Sequence, residues 1–248
     1  MAVLSSGASD IGMKRSTNQD SICLYPNRNF FAVADGMGGH NGGDIASQMT
    51  VSLLPDFIEE NLPKLDVPTL LSESIKYVNN SIYKHGQANE ELKGMGTTLT
   101  AIMFNGNEMN IANVGDSRTY LINKSSLYQI SRDHSLVQEK LNIGIYDREQ
   151  AKADPQKNVL IRTVGFEPEV EVDTYKYKIQ KNDIFLLCSD GLHGKVSDED
   201  IIHLVNKFIP DPVNAKQNQL DDLVSELIKQ ANANGGQDNI SVIIALAN

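Results

Sequence analysis

Four aspartates of this chain stand where an apolar run begins or ends, and each is followed by glycine or a small polar residue. They occur in Val33-Ala34-Asp35-Gly36, Val114-Gly115-Asp116-Ser117, Cys188-Ser189-Asp190-Gly191 and Gly236-Gln237-Asp238-Asn239. Each alone is typical of a turn, because Asp-Gly and Gly-Asp are turn dipeptides. Carboxylates that converge from four strand ends would repel one another unless cations neutralised them. Since oxygen ligands favour Mg²⁺ or Mn²⁺ over zinc, the pattern predicts a site for two hard divalent cations.

All four of these motifs belong to a longer series of six that runs through the chain in order. The series is Arg15-Ser16-Thr17-Asn18-Gln19-Asp20, Asp35-Gly36-Met37-Gly38-Gly39-His40, Gly94-Met95-Gly96-Thr97-Thr98, Gly115-Asp116-Ser117-Arg118, Ser189-Asp190-Gly191 and Gly236-Gln237-Asp238-Asn239. It resembles the motif series of the metal-dependent protein phosphatases of type 2C. The bacterial branch, which opposes membrane-bound serine/threonine kinases, is the most similar. One such motif would be weak evidence, whereas six in the right order are specific.

The resemblance implies which residues hold the cations. Asp35 would bridge two core ions, Mn²⁺ or Mg²⁺, with the Gly36 carbonyl on one of them. Asp190 and Asp238 would complete the other ion, and Asp116 with Asp190 would hold a third, weaker one. The same aspartates stand out from their positions at strand ends.

The resemblance also implies the reaction, which is hydrolysis of phosphoserine and phosphothreonine in proteins. Arg15 would grip the substrate phosphate, because its planar guanidinium donates two parallel hydrogen bonds. Two ions about 3.5 to 4 Å apart lower the pKa of a bridging water, and the resulting hydroxide would attack phosphorus in line. Thiol chemistry is disfavoured, because an arginine six residues after a nucleophilic cysteine is missing at both Cys23 and Cys188.

Two positions depart from the eukaryotic form of the family. Gln19 stands where a metal-linked glutamate often precedes the aspartate, so Asp20 is predicted to support the second metal directly or through water. Met37 stands where a histidine is thought to protonate the leaving alkoxide, and a thioether cannot do so. His40 could supply this proton, but a glycine-flanked histidine could equally position other groups or be merely exposed. A metal-bound water is the third candidate.

Three further assignments concern the surroundings of the site. Asp133 is predicted to cap a helix over residues 135–141 rather than to contact metal. Thr98 is placed near the metal cluster by the resemblance. Residues 142–158 are polar and interrupted by glycine and proline, and they align with the flap beside the active site, here taken as residues 142–165. Such a loop is a candidate for substrate choice.

Two other functions stay open at this point. One is a catalytically silent module that binds phosphoproteins without turnover, which Gln19 and Met37 would favour. The other is a hydrolase of small-molecule phosphate esters, which shares the chemistry. Activity on a phosphopeptide compared with a nucleotide or sugar phosphate separates these alternatives.

The elements that must position the site are short apolar strands and amphipathic helices. Strands are predicted over residues 30–34, 97–104, 109–114, 119–122, 184–188 and 240–246. Helices are predicted over residues 45–58, 71–82, 201–208 and 220–231, with Ser197 in a capping box before the third. Clusters of strands between clusters of helices indicate an α+β fold. The resemblance makes it a four-layer αββα sandwich, two antiparallel sheets flanked by helix pairs.

Composition sets the remaining limits. The 248 residues contain 40% hydrophobic side chains and no linker-like tract, so we expect one domain over residues 1–248. No apolar run approaches the ~18 residues of a membrane span, and no signal peptide is evident, which predicts a cytoplasmic protein. The net charge of −10 argues against a nucleic-acid partner. The expected partners are phosphoprotein substrates and a cognate serine/threonine kinase, and we expect a monomer.

Overall fold

Two antiparallel β-sheets form the centre of the molecule. The computed structural model describes residues 3–37 and 42–247. The strands in these ranges are β1 (Val3–Asp10), β2 (Asp20–Tyr25), β3 (Phe30–Met37), β4 (Gly96–Thr97), β5 (Leu99–Asn105), β6 (Glu108–Val114), β7 (Arg118–Asn123), β8 (Ser126–Gln129), β9 (Asp173–Lys178), β10 (Ile184–Cys188) and β11 (Ile240–Ala247). One sheet has the order β1-β11-β10-β7-β8. The other has the order β2-β3-β5-β6-β9, and β4 pairs with β3 at its end.

Helices cover the outer faces of both sheets. They are α1 (Gly43–Asn61), α2 (Val67–Ala88), α3 (Leu136–Asn142), α4 (Arg148–Ala153), α5 (Asp190–His193), α6 (Asp198–Phe208) and α7 (Gln217–Ala233). The long helices α1 and α2 pack on the six-stranded sheet, and α6 and α7 pack on the five-stranded sheet. Among the described helices, none combines the length and the apolar composition needed to cross a lipid bilayer.

The alternation of side chains along each strand produces four layers. In β10, Ile184, Leu186 and Cys188 face the helices, while Phe185 and Leu187 face the opposite sheet. Because successive side chains of a strand point to opposite faces, a strand buried on both sides must be apolar throughout. Three apolar interfaces result, one between the sheets and one between each sheet and its helix pair. The predicted α+β class and the αββα sandwich are confirmed.

The predicted elements match where the apolar pattern is strong. All four predicted helices are present with longer bounds, and Ser197 accepts the amide hydrogen of Asp200 as predicted. The predicted strand over residues 97–104 is wrong in one respect, because it is broken at Thr98 into β4 and β5.

The strands β1 and β9 escape prediction because their sequences are not apolar. Strand β1 is Val-Leu-Ser-Ser-Gly-Ala-Ser-Asp, and small residues suit its close approach to β11, where a Cβ atom on Gly7 would lie 2.9 Å from the Ile243 side chain. Strand β9 lies at the sheet edge and alternates tyrosine with exposed lysine. The partner strand β11 defines β1, whereas the alternation of half-buried and exposed residues in β9 is itself a strand pattern that a search for apolar runs misses.

Phe185 is expected to be a principal support of the contact between the sheets. Its ring lies 5.5 Å from that of Phe104 and 6.0 Å from that of Tyr177, both edge to face, and it is fully buried. Phe185→Ala should lower the free energy of unfolding by about 3–5 kcal/mol, because it leaves a cavity that cannot collapse. Tyr128→Ala, on an edge strand with the side chain exposed, is the matched control. Urea unfolding measures both, and equal losses would contradict the assignment.

Candidate active site

The strand directions bring the predicted aspartates to one end of the sandwich. In the six-stranded sheet, Asp20 is the first residue of β2 and pairs in register with Asp35 near the end of β3. Since β2 and β3 are antiparallel, the start of one and the end of the other meet at the same edge. The two carboxylates therefore arise from neighbouring backbone positions although 15 residues separate them in the chain.

The five-stranded sheet contributes from the same end. Strand β10 ends just before Asp190, and the antiparallel strand β11 begins just after Asp238. Asp116 lies in the turn from β6 to β7, where Arg118 pairs with Cys188 at the end of β10. Strand geometry thus places the aspartates of all four Asp motifs at the same end of the sandwich.

Contacts across the sheets join these groups. Ser189 donates its hydroxyl hydrogen to Asp20 Oδ2 at 2.7 Å. Besides burial, the negative charges of Asp20 and Asp190 both raise the pKa of Asp35, so these carboxyl groups lie close together. Arg15 Nη2 donates to Asp238 Oδ2 at 2.7 Å. The structure brings together Arg15, Asp20, Asp35, Asp116, Asp190 and Asp238, all of which the sequence singled out.

Burial makes these carboxylates costly to ionise. Burial, and after it the charge of Asp190, raises the pKa of Asp116 to about 7. Burial likewise raises the pKa of Asp190 to about 6, with the charge of Asp238 acting in the same direction. The pKa of Asp35 is raised well above its usual range, again by burial first and then by the charge of Asp20. A group of carboxylates with raised pKa values at one protein edge has the electrostatic character of a cation site.

Asp20 supplies a direct indication that cations fit. It is 7% exposed, and its Oδ1 atom has no hydrogen-bond partner among the described residues. A buried carboxylate oxygen without a donor is unfavourable unless a cation or solvent satisfies it. Within residues 3–37 and 42–247, no three acidic, histidine or cysteine side chains converge as a complete ligand set for one ion. Cation binding here would therefore draw also on backbone oxygen and water, as Mg²⁺ sites commonly do.

The glycines after the aspartates serve close packing more than turning. Asp35 and Gly36 lie within β3, and a Cβ atom on Gly36 would lie 2.0 Å from the Gly43 carbonyl oxygen. Asp190 and Gly191 open α5, and a Cβ atom on Gly191 would lie 1.9 Å from the Asn239 carbonyl oxygen. The interpretation of these two motifs as simple turn dipeptides is wrong.

A threonine connects the two halves of the site, as its expected position near the cluster implies. Thr98 Oγ1 accepts the backbone hydrogen of Asp35 at 3.1 Å and shares a hydrogen bond with Ser117 Oγ at 2.7 Å. Ser117 follows Asp116 directly. This bridge fixes the end of β3 against the turn that carries Asp116.

The predicted helix cap at Asp133 is wrong. Ser135 caps α3 by accepting the amide hydrogen of Gln138, whereas Asp133 accepts hydrogen bonds from Arg118 at 2.7 to 3.1 Å. The guanidinium of Arg118 is partly buried, so it requires a carboxylate partner more than the helix requires a second cap. Arg118 also helps to balance the acidic charge near Asp116, whose pKa it lowers.

Two histidines near the site were missed by sequence reasoning. His134 Nδ1 accepts the backbone hydrogen of Gly115 at 3.1 Å, and its other nitrogen lies 3.2 Å from Asp173. His193 Nε2 donates to the Asp116 carbonyl oxygen at 3.2 Å. Burial lowers the pKa of both, so both are neutral at pH 7. Neither contact is local in sequence, and no local signal points to it.

Of the residues discussed for proton transfer, His40 lies outside the described residues. Met37 ends β3 and pairs with Gly96. The backbone carbonyl of Gln19 accepts the amide hydrogen of Gly36 at 3.1 Å, and the backbone amide of Gln19 donates to Asn239 Oδ1 at 2.8 Å.

Known proteins resemble this chain over nearly its whole length. A family model described as protein phosphatase 2C matches residues 7–241. The serine/threonine phosphatase stp of Listeria monocytogenes serotype 4b is 39% identical over 241 residues, which cover 95% of this chain and 92% of that protein. The Mycobacterium tuberculosis serine/threonine phosphatase PstP/Ppp superimposes with a TM-score of 0.88 at 33% identity, covering 100% of both chains. The catalytic domain of PstP in complex with two manganese ions superimposes with a TM-score of 0.85 at 32% identity, covering 98% of this chain and 97% of that chain.

Asp116→Asn should stabilise the protein in chelator at pH 7.5, by on the order of 1–3 kcal/mol. The pKa of Asp116 is about 7 when folded but about 4 when unfolded. Its unfavourable contribution is thus absent below about pH 4, grows between about pH 4 and pH 7, and is nearly constant above pH 7. The advantage of the variant should shrink as the pH falls. Comparison at each pH removes the shared effects of His134 and His193. Urea unfolding measures it, with Asp56→Asn at an exposed site as control.

An advantage that persists unchanged at pH 4, or that Asp56→Asn reproduces, would contradict the assignment of Asp116 to a repulsive carboxylate cluster.

Proposed function

Since the chain belongs to the protein phosphatase 2C family, we propose that Arg15 and the five clustered aspartates are the machinery with which it hydrolyses phosphoserine and phosphothreonine in proteins. The family match covers residues 7–241, which include all six motifs of the series that the sequence presented. The resemblance stated from those motifs is confirmed. The single observation that carries the site assignment is the convergence of five aspartates and one arginine at the common end of two sheets.

The chain is a metal-dependent serine/threonine protein phosphatase. Its curated relatives are named as such and cover more than nine tenths of its length. A catalytically silent module is a poor description of a chain in which every predicted aspartate reaches the site. The departures at Gln19 and Met37 leave those carboxylates in place.

We assign phosphate binding to Arg15. The guanidinium is half exposed, with 48% of its side-chain surface accessible, so an incoming phosphate can reach it. It hydrogen-bonds one carboxylate and faces the negative charges of Asp190 and Asp35. Its planar fork can donate two parallel hydrogen bonds to a phosphate. Arg15 thereby orients the phosphoryl group and neutralises part of its charge.

The aspartates would hold the divalent cations. Asp35 and the Gly36 carbonyl, Asp190 and Asp238 are the proposed ligands of two ions, with Asp20 in support through its unpaired Oδ1 atom. Two such ions, when bound, supply Lewis-acid stabilisation of the phosphoryl group and activation of water near neutral pH. Manganese is bound by the solved PstP catalytic domain, which supports Mn²⁺ here.

The identity of the ions and a third ion site are further parts of the proposal. Mg²⁺ is the alternative ion, because both ions favour the oxygen ligands present. Asp116 with Asp190 would hold a third ion. Their mutual repulsion, which helps to raise the pKa of Asp116, supports this assignment.

The donor of the leaving-group proton is proposed to be His40, with a water bound to a metal ion as the alternative. Met37 cannot donate a proton. The two neutral histidines near Asp116 are engaged elsewhere, since His193 donates to a backbone carbonyl and His134 is hydrogen-bonded at both nitrogens.

Residues 142–165 are proposed to form a flap that contacts the protein around the phosphoresidue. Helix α4 lies within this segment, and Asp147 and Gln150 form a capping box at its start. The end of the segment is fixed to the site, because Val164 pairs with Thr97, which in turn pairs with Gly36. Exposed Ile143 and Ile145 in the same segment offer apolar surface for a protein substrate.

The expected partners are phosphoprotein substrates and a cognate serine/threonine kinase, because a phosphatase requires an enzyme that makes its substrate. Participation in signal transduction follows from that pairing. A cytoplasmic location and a monomeric state stay predictions from the sequence.

Turnover of a phosphothreonine peptide tests the proposal. Wild type should hydrolyse it with Mn²⁺ or Mg²⁺ and not with chelator. Asp190→Asn should reduce kcat by about 100-fold or more, since it removes a charge from the cation site without changing side-chain size. Phosphate release measures both, and circular dichroism checks the fold.

Asp198→Asn, which changes an exposed aspartate in α6, is the matched control and should retain full activity. Absence of turnover in a folded wild type that binds Mn²⁺ would favour the binding module. Faster turnover of a nucleotide or sugar phosphate than of the peptide would favour the small-molecule hydrolase.

A further inference from the structure

We propose that Asn239 is a positioning residue that holds the Arg15 loop, residues 11–19, in the geometry that binds phosphate. The inference rests on the proposed role of Arg15 and adds a group that does not itself contact the substrate. Asn239 follows Asp238, one of the proposed cation ligands, but its side chain points to a different part of the protein.

The side-chain amide of Asn239 contacts both ends of the Arg15 loop. Its Nδ2 atom donates to the Ile11 carbonyl oxygen at 2.9 Å and to the Thr17 carbonyl oxygen at 3.0 Å. Its Oδ1 atom accepts the backbone amide hydrogen of Gln19 at 2.8 Å. Both donors and one acceptor of this amide are therefore used on backbone groups of a single loop. Only an unbranched amide of this length supplies that combination.

Burial makes these three hydrogen bonds decisive. Asn239 is 4% exposed, so a backbone group that lost its partner here would not readily regain one from water. The loop itself is exposed from Met13 to Thr17 and has little apolar contact of its own. At the near end, Met13 donates to the Gly236 carbonyl oxygen at 2.7 Å. At the far end, the Thr17 and Gln19 contacts with Asn239 hold the chain that leaves Arg15.

The backbone of Asn239 also helps to locate Arg15 relative to the proposed cation ligands. Asp238 Oδ1 accepts the backbone amide hydrogen of Asn239 at 2.9 Å, and Asp238 Oδ2 accepts from Arg15. Two adjacent residues just before β11 thus act on the Arg15 loop. The Asn239 side chain holds the loop backbone, and the Asp238 carboxylate pairs with the Arg15 guanidinium. Displacement of the loop would move Arg15 without altering the backbone of the cation ligands.

Asn79 provides a matched control elsewhere in the fold. It is 1% exposed, accepts the Gly165 amide hydrogen at 2.6 Å, and donates to the Glu167 and Pro168 carbonyl oxygens at 3.0 and 3.2 Å. It is therefore a second buried asparagine that clamps a loop with three backbone hydrogen bonds. Its loop adjoins the end of the proposed flap and does not carry Arg15, so Asn79→Ala can alter kcat or KM for the peptide but should not alter Ki for inorganic phosphate.

The test measures the inhibition constant Ki of inorganic phosphate and the kcat and KM for a phosphothreonine peptide, all at saturating Mn²⁺. Asn239→Ala should raise Ki by about tenfold, the effect of weakening one charge-assisted contact. Asn79→Ala should lower the melting temperature by a similar amount but change Ki by less than about twofold. Asn239→Asp is isosteric and places a carboxylate against two carbonyl oxygens, so it should raise Ki even if the alanine variant does not fold.

A double-mutant cycle separates positioning from general destabilisation. In an Arg15→Ala background, Asn239→Ala or Asn239→Asp should raise Ki by less than about twofold, because the group it positions is gone. An equal rise in both backgrounds would overturn the proposal. So would an unchanged Ki in the wild-type background, or a loss of activity that a higher Mn²⁺ concentration fully restores. Inactive wild type would instead count against the proposed function.

Discussion

The mutual repulsion of buried carboxylates is the constraint around which the end of this sandwich is built. Five aspartates from two sheets meet where burial already raises the pKa of four of them, Asp20, Asp35, Asp116 and Asp190. Such an arrangement is tolerated only if protons, cations or hydrogen-bond donors offset the charge. Ser189, Arg15 and Arg118 supply part of that compensation. The remainder leaves a site that favours small divalent cations and a phosphate group.

The apolar layers make this arrangement possible, because they determine the strand positions independently of the charges. Phe185 and Leu187 face one sheet while Leu186 faces a helix pair, so a shift of one residue along β10 would place the wrong side chains in both interfaces. Residues next to such strands are therefore positioned as accurately as the strands themselves. Asp190 follows β10 and Asp35 lies within β3, and neither depends on a loop for its position. These two proposed cation ligands are thus held by regular secondary structure, which positions a site more precisely than loops do.

Sequence patterns predicted the strand-borne part of the site and the general architecture. The aspartates could be found because each interrupts or adjoins an apolar run, and the α+β class follows from the same runs. Strand β9 is missed because its alternating pattern contains no apolar run, and the Arg118 partner of Asp133 could not be found because tertiary packing decides it. Asn239 was visible in a motif, but its three partners lie more than 200 residues away in the chain. Hydrogen bonds between a side chain and backbone groups far away in the chain produce no periodic pattern in a sequence.

Arg15 differs from the strand residues Asp20 and Asp35 because it lies on an exposed loop, and this difference suits its proposed task. Its ion pair with Asp238 is partly exposed, with 48% and 33% of the two side-chain surfaces accessible, and pairs of that kind contribute about 0–1 kcal/mol. The pair is therefore too weak to hold the loop. The neutral amide of Asn239 is buried and can do so without competing for the guanidinium. In its proposed role, Arg15 would then exchange the Asp238 carboxylate for a phosphate at little cost, while the backbone that carries it stays in place.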